Sequence, residues 1–172
     1  MDGNSGWSYP MRYNNKQLSV EKKSVRLCEL VDETLELFIE PAASKKIELI
    51  NDVPASLYVV TDPAILGSIL KYIISNAVRF TESGTVRIFN EQSGLEEYTV
   101  LKVSDTGIGM SEETLSAMRQ VLKGDLQALK TTTKINTGLG YILISELIKI
   151  DGMSVSVDSE LNKGTTVSIE ID

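Results

Sequence analysis

Residues 98–110 read YTVLKVSDTGIGM. The first half is a run of strand-like residues and reads as a buried strand. It ends on Asp105, and Thr106, Gly107, Ile108 and Gly109 follow. A carboxylate at the end of a strand, next to two glycines, has three readings. An aspartic protease carries its acid in an Asp-Thr-Gly turn. A nucleotide site uses the acid to read a base and the glycines to make room, since glycine allows positive φ and close backbone approach. The third reading is an ordinary strand-turn-helix junction.

Strands and helices extend outward from this stretch in both directions. Upstream, TVRIF and EYTVLKVSD read as paired strands joined by NEQSGLE, which has hairpin composition. Before them lies a helix with Ile65, Ile69, Leu70, Ile73 and Ala77 on one side, opened by Asp62 as N-cap and Pro63 at its first position and ending near Phe80. KKIELIND and SLYVVTD read as two further strands. Leu27, Leu30, Val31, Leu35, Phe38 and Ala42 fall at helical spacing, predicting one helix from Leu27 to about Ser44. Residues 1–22 are polar and aperiodic and read as a flexible leader.

Downstream, Ser111 is an N-cap for a segment that runs to Asn136 and reads as one or two short helices, interrupted by GD and TTTKIN. TGLGYILISELIKID then gives an apolar helix through Ile142, Leu143, Leu147 and Ile148. MSVSVDS and TTVSIEID close the chain as two strands around the turn ELNKG. Adjacent strands are often joined by short turns. The expected fold is therefore a two-layer α/β sandwich: a mixed, largely antiparallel sheet with about three helices on one face. It lacks the strict βαβ alternation of a dinucleotide-binding fold.

Composition narrows the chemistry. The chain has 172 residues, 42% hydrophobic and 24% charged, which fits one globular domain with its own core. No apolar run approaches the ~20 residues of a membrane span, so no membrane contact is expected. A net charge of −7 argues against a general nucleic-acid surface but allows one bound nucleotide. There is no histidine, which rules out a Ser-His-Asp triad, a Cys-His pair, a histidine-ligated zinc and self-phosphorylation on histidine within this chain. The single cysteine, Cys28, cannot form an internal disulfide and fits a reducing compartment.

Four segments carry unusual chemistry. In KYIISNAVRFT, Asn76 sits mid-helix, with Arg79 three residues on and Phe80 beside it. An amide oxygen can ligand a hard cation and a guanidinium can hold a phosphate. DTGIGM supplies Asp105, Gly107 and Gly109. In NTGLGYI, Gly138, Leu139 and Gly140 open a helix whose free N–H groups suit an anion. In NKGTTVSI, Gly164 and Thr165 lead into the closing strand. Taken singly, each also reads as a polar patch or a turn.

Taken in order, they resemble the ATP-binding domain of the GHKL superfamily, which includes gyrase, histidine kinases and MutL. The resemblance covers roughly Val25 to Asp172. SNAVRFT is similar to the family's N box in its histidine-kinase form, DTGIGM and TGLGYILI to its two glycine boxes, and KGTTVSI to its closing Gly-Thr motif. The resemblance implies a histidine kinase-type catalytic domain over 23–172 that binds ATP and Mg²⁺. Asp105 would accept the adenine amino group, with Gly107 and Gly109 giving clearance and a hinge. Thr165 would support the base, Asn76 would ligand Mg²⁺, and Arg79 would touch the phosphates. Gly138 and Gly140 would present amides to them. Residues 111–136 would form an ATP lid, irregular because it moves, with Lys123, Lys130 and Lys134 as candidate contacts to the γ-phosphate or, as the alternative, simply a solvated basic loop. Met118, Val121 and Leu122 stand near the place of the lid phenylalanines common in histidine kinases.

The implied activity is donation of the γ-phosphoryl group to a histidine on a separate dimerisation domain of the same protein, with a response regulator downstream. Tyr72 departs from the pattern, standing where a second polar residue, often Asn, is usual. The alternative is a degenerate nucleotide-binding or pseudokinase module. The protease reading needs two facing carboxylates, from two Asp-Thr-Gly turns or from a homodimer; the chain has a single such turn, so it requires a dimer, and it leaves Asn76, Gly138 and Gly140 unexplained.

Overall fold

The structure, a computed structural model, describes residues 19–91, 98–128 and 138–172. The sites expected at Lys130 and Lys134, the rest of the lid beyond Ala128, most of the NEQSGLE connection and the leader up to residue 18 lie outside them.

The chain runs β1 (Lys23–Arg26), α1 (Leu27–Glu36), α2 (Ile39–Ser44), β2 (Ile47–Asp52), β3 (Tyr58–Thr61), α3 (Pro63–Phe80), β4 (Gly84–Glu91), β5 (Thr99–Asp105), α4 (Glu112–Leu122), α5 (Gly138–Asp151), β6 (Ser154–Glu160) and β7 (Gly164–Ile171). Five strands form the main sheet in the order β2-β4-β5-β7-β6. Only β2 and β4 pair in parallel, and α3 lies in the crossover between them, as a parallel connection requires. The other pairs are antiparallel. The helices cover one face, where Val86, Ile88, Leu101, Val103, Val157, Val167 and Ile169 are buried. The other face is polar and carries Arg87 paired with Asp52 and Lys102 paired with Glu91. The expected two-layer sandwich is the observed architecture.

Three elements differ from expectation. The helix predicted over Leu27–Ser44 breaks at Leu37 and Phe38. Pro41 is the reason: it has no N–H to give to Leu37, and its ring would meet that carbonyl in a continuous helix. In the first turn of α2 the same proline is tolerated. The second difference is β1, a four-residue strand that pairs with β3 in a separate ribbon (Lys23↔Thr61 to Arg26↔Tyr58). It is too short and polar for its alternation to stand out. The third is that residues 112–122 form one regular helix, where one or two short helices within an irregular lid were expected. Ser111 caps it, accepting from the Thr114 N–H at 3.3 Å. Leu115, Met118, Val121 and Leu122 make one apolar face, and Arg119 ties it to β6 through the Val157 carbonyl (3.0 Å) and Asp158 (2.6 Å).

Asp62 holds two elements at once. One carboxylate oxygen accepts from the Ala64 and Ile65 N–H groups (2.9 and 3.3 Å), capping α3, and the other accepts from Glu21 N–H at 2.9 Å. These bonds, Glu21 first, hold its pKa below the usual carboxylate value. Asp62→Ala is expected to destabilise the fold by about 1–2 kcal/mol at neutral pH. A lowered native pKa means that the contribution is complete above the unfolded value near ~4 and fades as pH falls through the native one. Denaturant melts of parent and variant at pH 7 and pH 3 should therefore converge at the acid end.

Candidate functional site

Period two places the key carboxylate. Leu101, Val103 and Asp105 share the helix-facing side of β5. The register sets Asp105 opposite Val86 on one side and Thr165 on the other. The carboxylate thus enters the layer between sheet and helices at the sheet's open end. From above, α3 contributes Ile73, Asn76, Ala77 and Phe80, which spacing of three and four puts on one face. Between them lies a cavity of about 270 Å³. Asn76, Phe80, Asp105, Gly109 and Thr165 line it, with Met118 of α4, Tyr141 of α5 and Leu161 of the β6–β7 turn.

The wall is mostly apolar and its polar groups are few and directed. Asp105 Oδ1 accepts from the Gly107 N–H (2.8 Å) and the Thr165 N–H (3.3 Å). Its other oxygen makes no hydrogen bond among the described residues. Burial raises the Asp105 pKa above the usual carboxylate value, and the two N–H groups partly oppose this. Tyr141 is 3% exposed. Burial, and then the negative charge of Asp105, push its phenol well above the usual value, so it stays protonated.

Close approach explains two glycines. A Cβ on Gly107 would come to 2.8 Å from both Asp105 Oδ1 and Thr81 Oγ1. Only hydrogen lets the chain fold back so that the Ile108 N–H reaches the Phe80 carbonyl at 3.0 Å. Gly109 has φ +64°, and a side chain there would collide with the Glu160 carbonyl.

The second cluster lies where α5 begins. A Cβ on Gly140 would sit 3.6 Å from Tyr72 Cδ1 and 3.9 Å from Asn76 Nδ2. The first turn of α5 therefore meets α3 at Asn76 through Gly140, and the positive end of the helix dipole makes that junction electropositive. Asn76 Nδ2 is buried without a hydrogen-bond partner among the described residues. Among the described residues, no group of three or more His, Cys, Asp or Glu side chains could hold a metal.

Most residues singled out in the sequence thus converge: Asn76, Phe80, Asp105, Gly109 and Thr165 on the cavity, and Gly140 beside Asn76. Arg79 does not line the cavity. It is exposed, with its guanidinium 5.3 Å from the Phe80 ring centroid. Lys123 is exposed after α4. Three residues escaped sequence reading. Tyr141 was absorbed into an apolar helix, although a phenol in such a run signals a polar neighbour. Thr81 is fully buried, with Oγ1 unpartnered among the described residues. Ser159 continues the inward row of Val155 and Val157, where a hydroxyl at the strand end was the available signal.

Such an arrangement can hold a flat aromatic group bearing an amine, with an anion at the α5 end. The family described as "Histidine kinase-, DNA gyrase B-, and HSP90-like ATPase" matches residues 61–172. The chain is 32% identical over 163 residues to the autoinducer 2 sensor kinase/phosphatase LuxQ of Vibrio vulnificus, covering 90% of this chain and 19% of LuxQ. It is 32% identical over 164 residues to the sensor histidine kinase GacS of Pseudomonas protegens, covering 91% and 17%. It therefore spans about a fifth of the length of these relatives. Among solved structures, full-length ShkA in complex with AMPPNP superposes with a TM-score of 0.71 at 25% identity, over 90% of this chain and 31% of that one. The catalytic domain of the histidine kinase ThkA gives 0.69 at 20% identity, over 88% and 95%, a likeness of fold. No helix among the described residues is long and apolar enough to cross a membrane.

Proposed function

This chain belongs to the histidine kinase-, DNA gyrase B- and HSP90-like ATPase family, and from that premise we propose that it binds Mg-ATP and donates the γ-phosphoryl group to a histidine on a separate dimerisation domain. A response regulator then receives the group downstream. The observation that carries this reading is the unshared oxygen of Asp105 in an apolar cavity, an acceptor placed for the amino group of adenine. Thr165 stands beside it. The phosphates would run toward the first turn of α5, with Asn76 alongside. Arg79 and Lys134 would add positive charge.

Asn76 fits one contact to magnesium. Its amide nitrogen is orphaned, and a half-turn of the amide presents the oxygen to the same space. With no acidic cluster beside it among the described residues, the ion would take its remaining ligands from phosphate and water. When bound, it would neutralise charge on the phosphates. The chain's own part is to grip the base, fix the phosphate path and leave the γ-phosphorus open to a partner imidazole. That nitrogen attacks in line, the bond to the bridging oxygen breaks, and ADP leaves.

Isothermal titration with Mg²⁺ alone is expected to show no binding, whereas Mg²⁺ strengthens ATP binding. Asn76→Ala should remove roughly tenfold of that enhancement and leave Mg²⁺-free binding and the melting temperature close to the parent's, since it deletes an unpartnered group. A histidine-bearing dimerisation domain supplied in trans with labelled ATP should acquire an acid-labile phosphoryl group. Tyr72, 38% exposed beside Gly140, favours the second reading, a module that binds nucleotide without transfer. ATP binding with no labelled histidine would select it.

A further inference from the structure

Ser159 lies behind the cavity wall, and three neighbours surround its hydroxyl. The Met110 N–H donates to Oγ at 2.8 Å, Oγ donates to the Gly164 carbonyl at 2.9 Å, and Thr165 Oγ1 lies 2.9 Å away. A serine has one hydrogen to give. An N–H only donates and a carbonyl only accepts. All three bonds therefore form together in a single arrangement: Ser159 gives its hydrogen to Gly164 and accepts from both Met110 and Thr165. The Thr165 hydroxyl hydrogen is then engaged with Ser159. Thr165 Oγ1, which lines the cavity, offers it lone pairs and no hydrogen. An ionised Asp105 likewise only accepts.

We infer that Ser159 is a positioning residue that fixes Thr165 as an acceptor beside Asp105, so that the pocket takes a 6-amino purine and refuses a 6-oxo purine. The inference rests on the reading of this cavity as a base pocket. An exocyclic amine has two hydrogens for two acceptors, used directly or through a water. A 6-oxo group meets lone pairs on both sides. For Thr165 to donate to it, the bond to Ser159 must break, leaving Oγ of Ser159 one donor short. Without Ser159 the Thr165 hydroxyl turns freely and that barrier disappears. The same hydroxyl anchors Met110 at the entry to α4, so loosening this junction is the structural effect that the test must separate from selectivity.

The ratio of ATP to inosine triphosphate affinity, measured on the full chain with Mg²⁺, makes that separation. Ser159→Ala is expected to lower the ratio about fivefold, the worth of one neutral hydrogen bond, whereas Ser159→Thr retains it. General loosening weakens both nucleotides alike and leaves the ratio at the parent value, an outcome that overturns the inference. Should Ser159→Ala fail to fold, Thr165→Val removes the acceptor itself. It should lower the ratio by a similar factor, and an unchanged ratio again overturns the assignment. A parent with no preference for ATP defeats the base-pocket reading and this inference with it. A clear parental preference that survives both substitutions defeats this inference alone.

Discussion

Asp105→Asn is expected to weaken ATP binding by ~1–3 kcal/mol, about 5- to 150-fold, while the fold survives. The asparagine oxygen can keep the bonds from the Gly107 and Thr165 N–H groups. The amide nitrogen then takes the place of the unshared carboxylate oxygen and points a donor at the adenine donor. Thermal stability should move the other way. Burial raises the native pKa of Asp105 above its unfolded value, so ionisation opposes folding. That penalty is absent below the unfolded value near ~4 and complete above the raised native one. The variant's melting temperature should therefore gain on the parent's as pH rises above about 4, then hold a constant lead once pH has passed the raised native value. Calorimetric melts across that window test the buried charge; titration with ATP at pH 7 tests the base contact. Unchanged ATP affinity would remove Asp105 from the base pocket, whatever the melts show.

Gly164→Ala should be the most damaging small substitution in the site, destabilising by about 3–5 kcal/mol. Gly164 has φ +119°, where an L-residue is strained, and an added Cβ would fall on the carbonyl of Asp105. That carbonyl belongs to the strand paired with β7 at Asp105↔Thr165, so relief requires parting the two strands that hold the acceptor. Gly152→Ala is the control. It has φ +80° with nothing within 4 Å of the added carbon, so only the backbone strain of ~1–2 kcal/mol applies. Equal losses in the two variants under denaturant melts would show that conformation alone matters and that the β5–β7 approach does not.

Local chemistry made a large part of this site legible in advance. Asp62 and Ser111 are helix caps recognisable by residue type, and both cap the helices expected of them. The strand-like run placed Asp105 at a strand end in advance, and the pleat of β5 then puts it on the face of Leu101 and Val103. What escaped depended on partners distant in the chain. β1 is a strand only because β3 lies beside it. Residues 112–122 hold as a helix because α5 and β6 receive their apolar face. The break at Pro41 was written in the sequence, yet the apolar spacing on both sides masked it.

The sequence alone determined the period of each main strand and helix, most of their ends, and the order of Asn76, Asp105, Gly138–Gly140 and Thr165 along the chain. Each follows from the sterics and hydrogen bonding of residues within one turn or one pleat. Tertiary structure decided the rest: the parallel pairing of β2 with β4, the meeting of Gly140 with Asn76, and the direction of the Thr165 hydroxyl. Those depend on which surfaces bury one another, and on a single serine hydrogen shared among groups far apart in sequence. Spacing carries no record of such contacts.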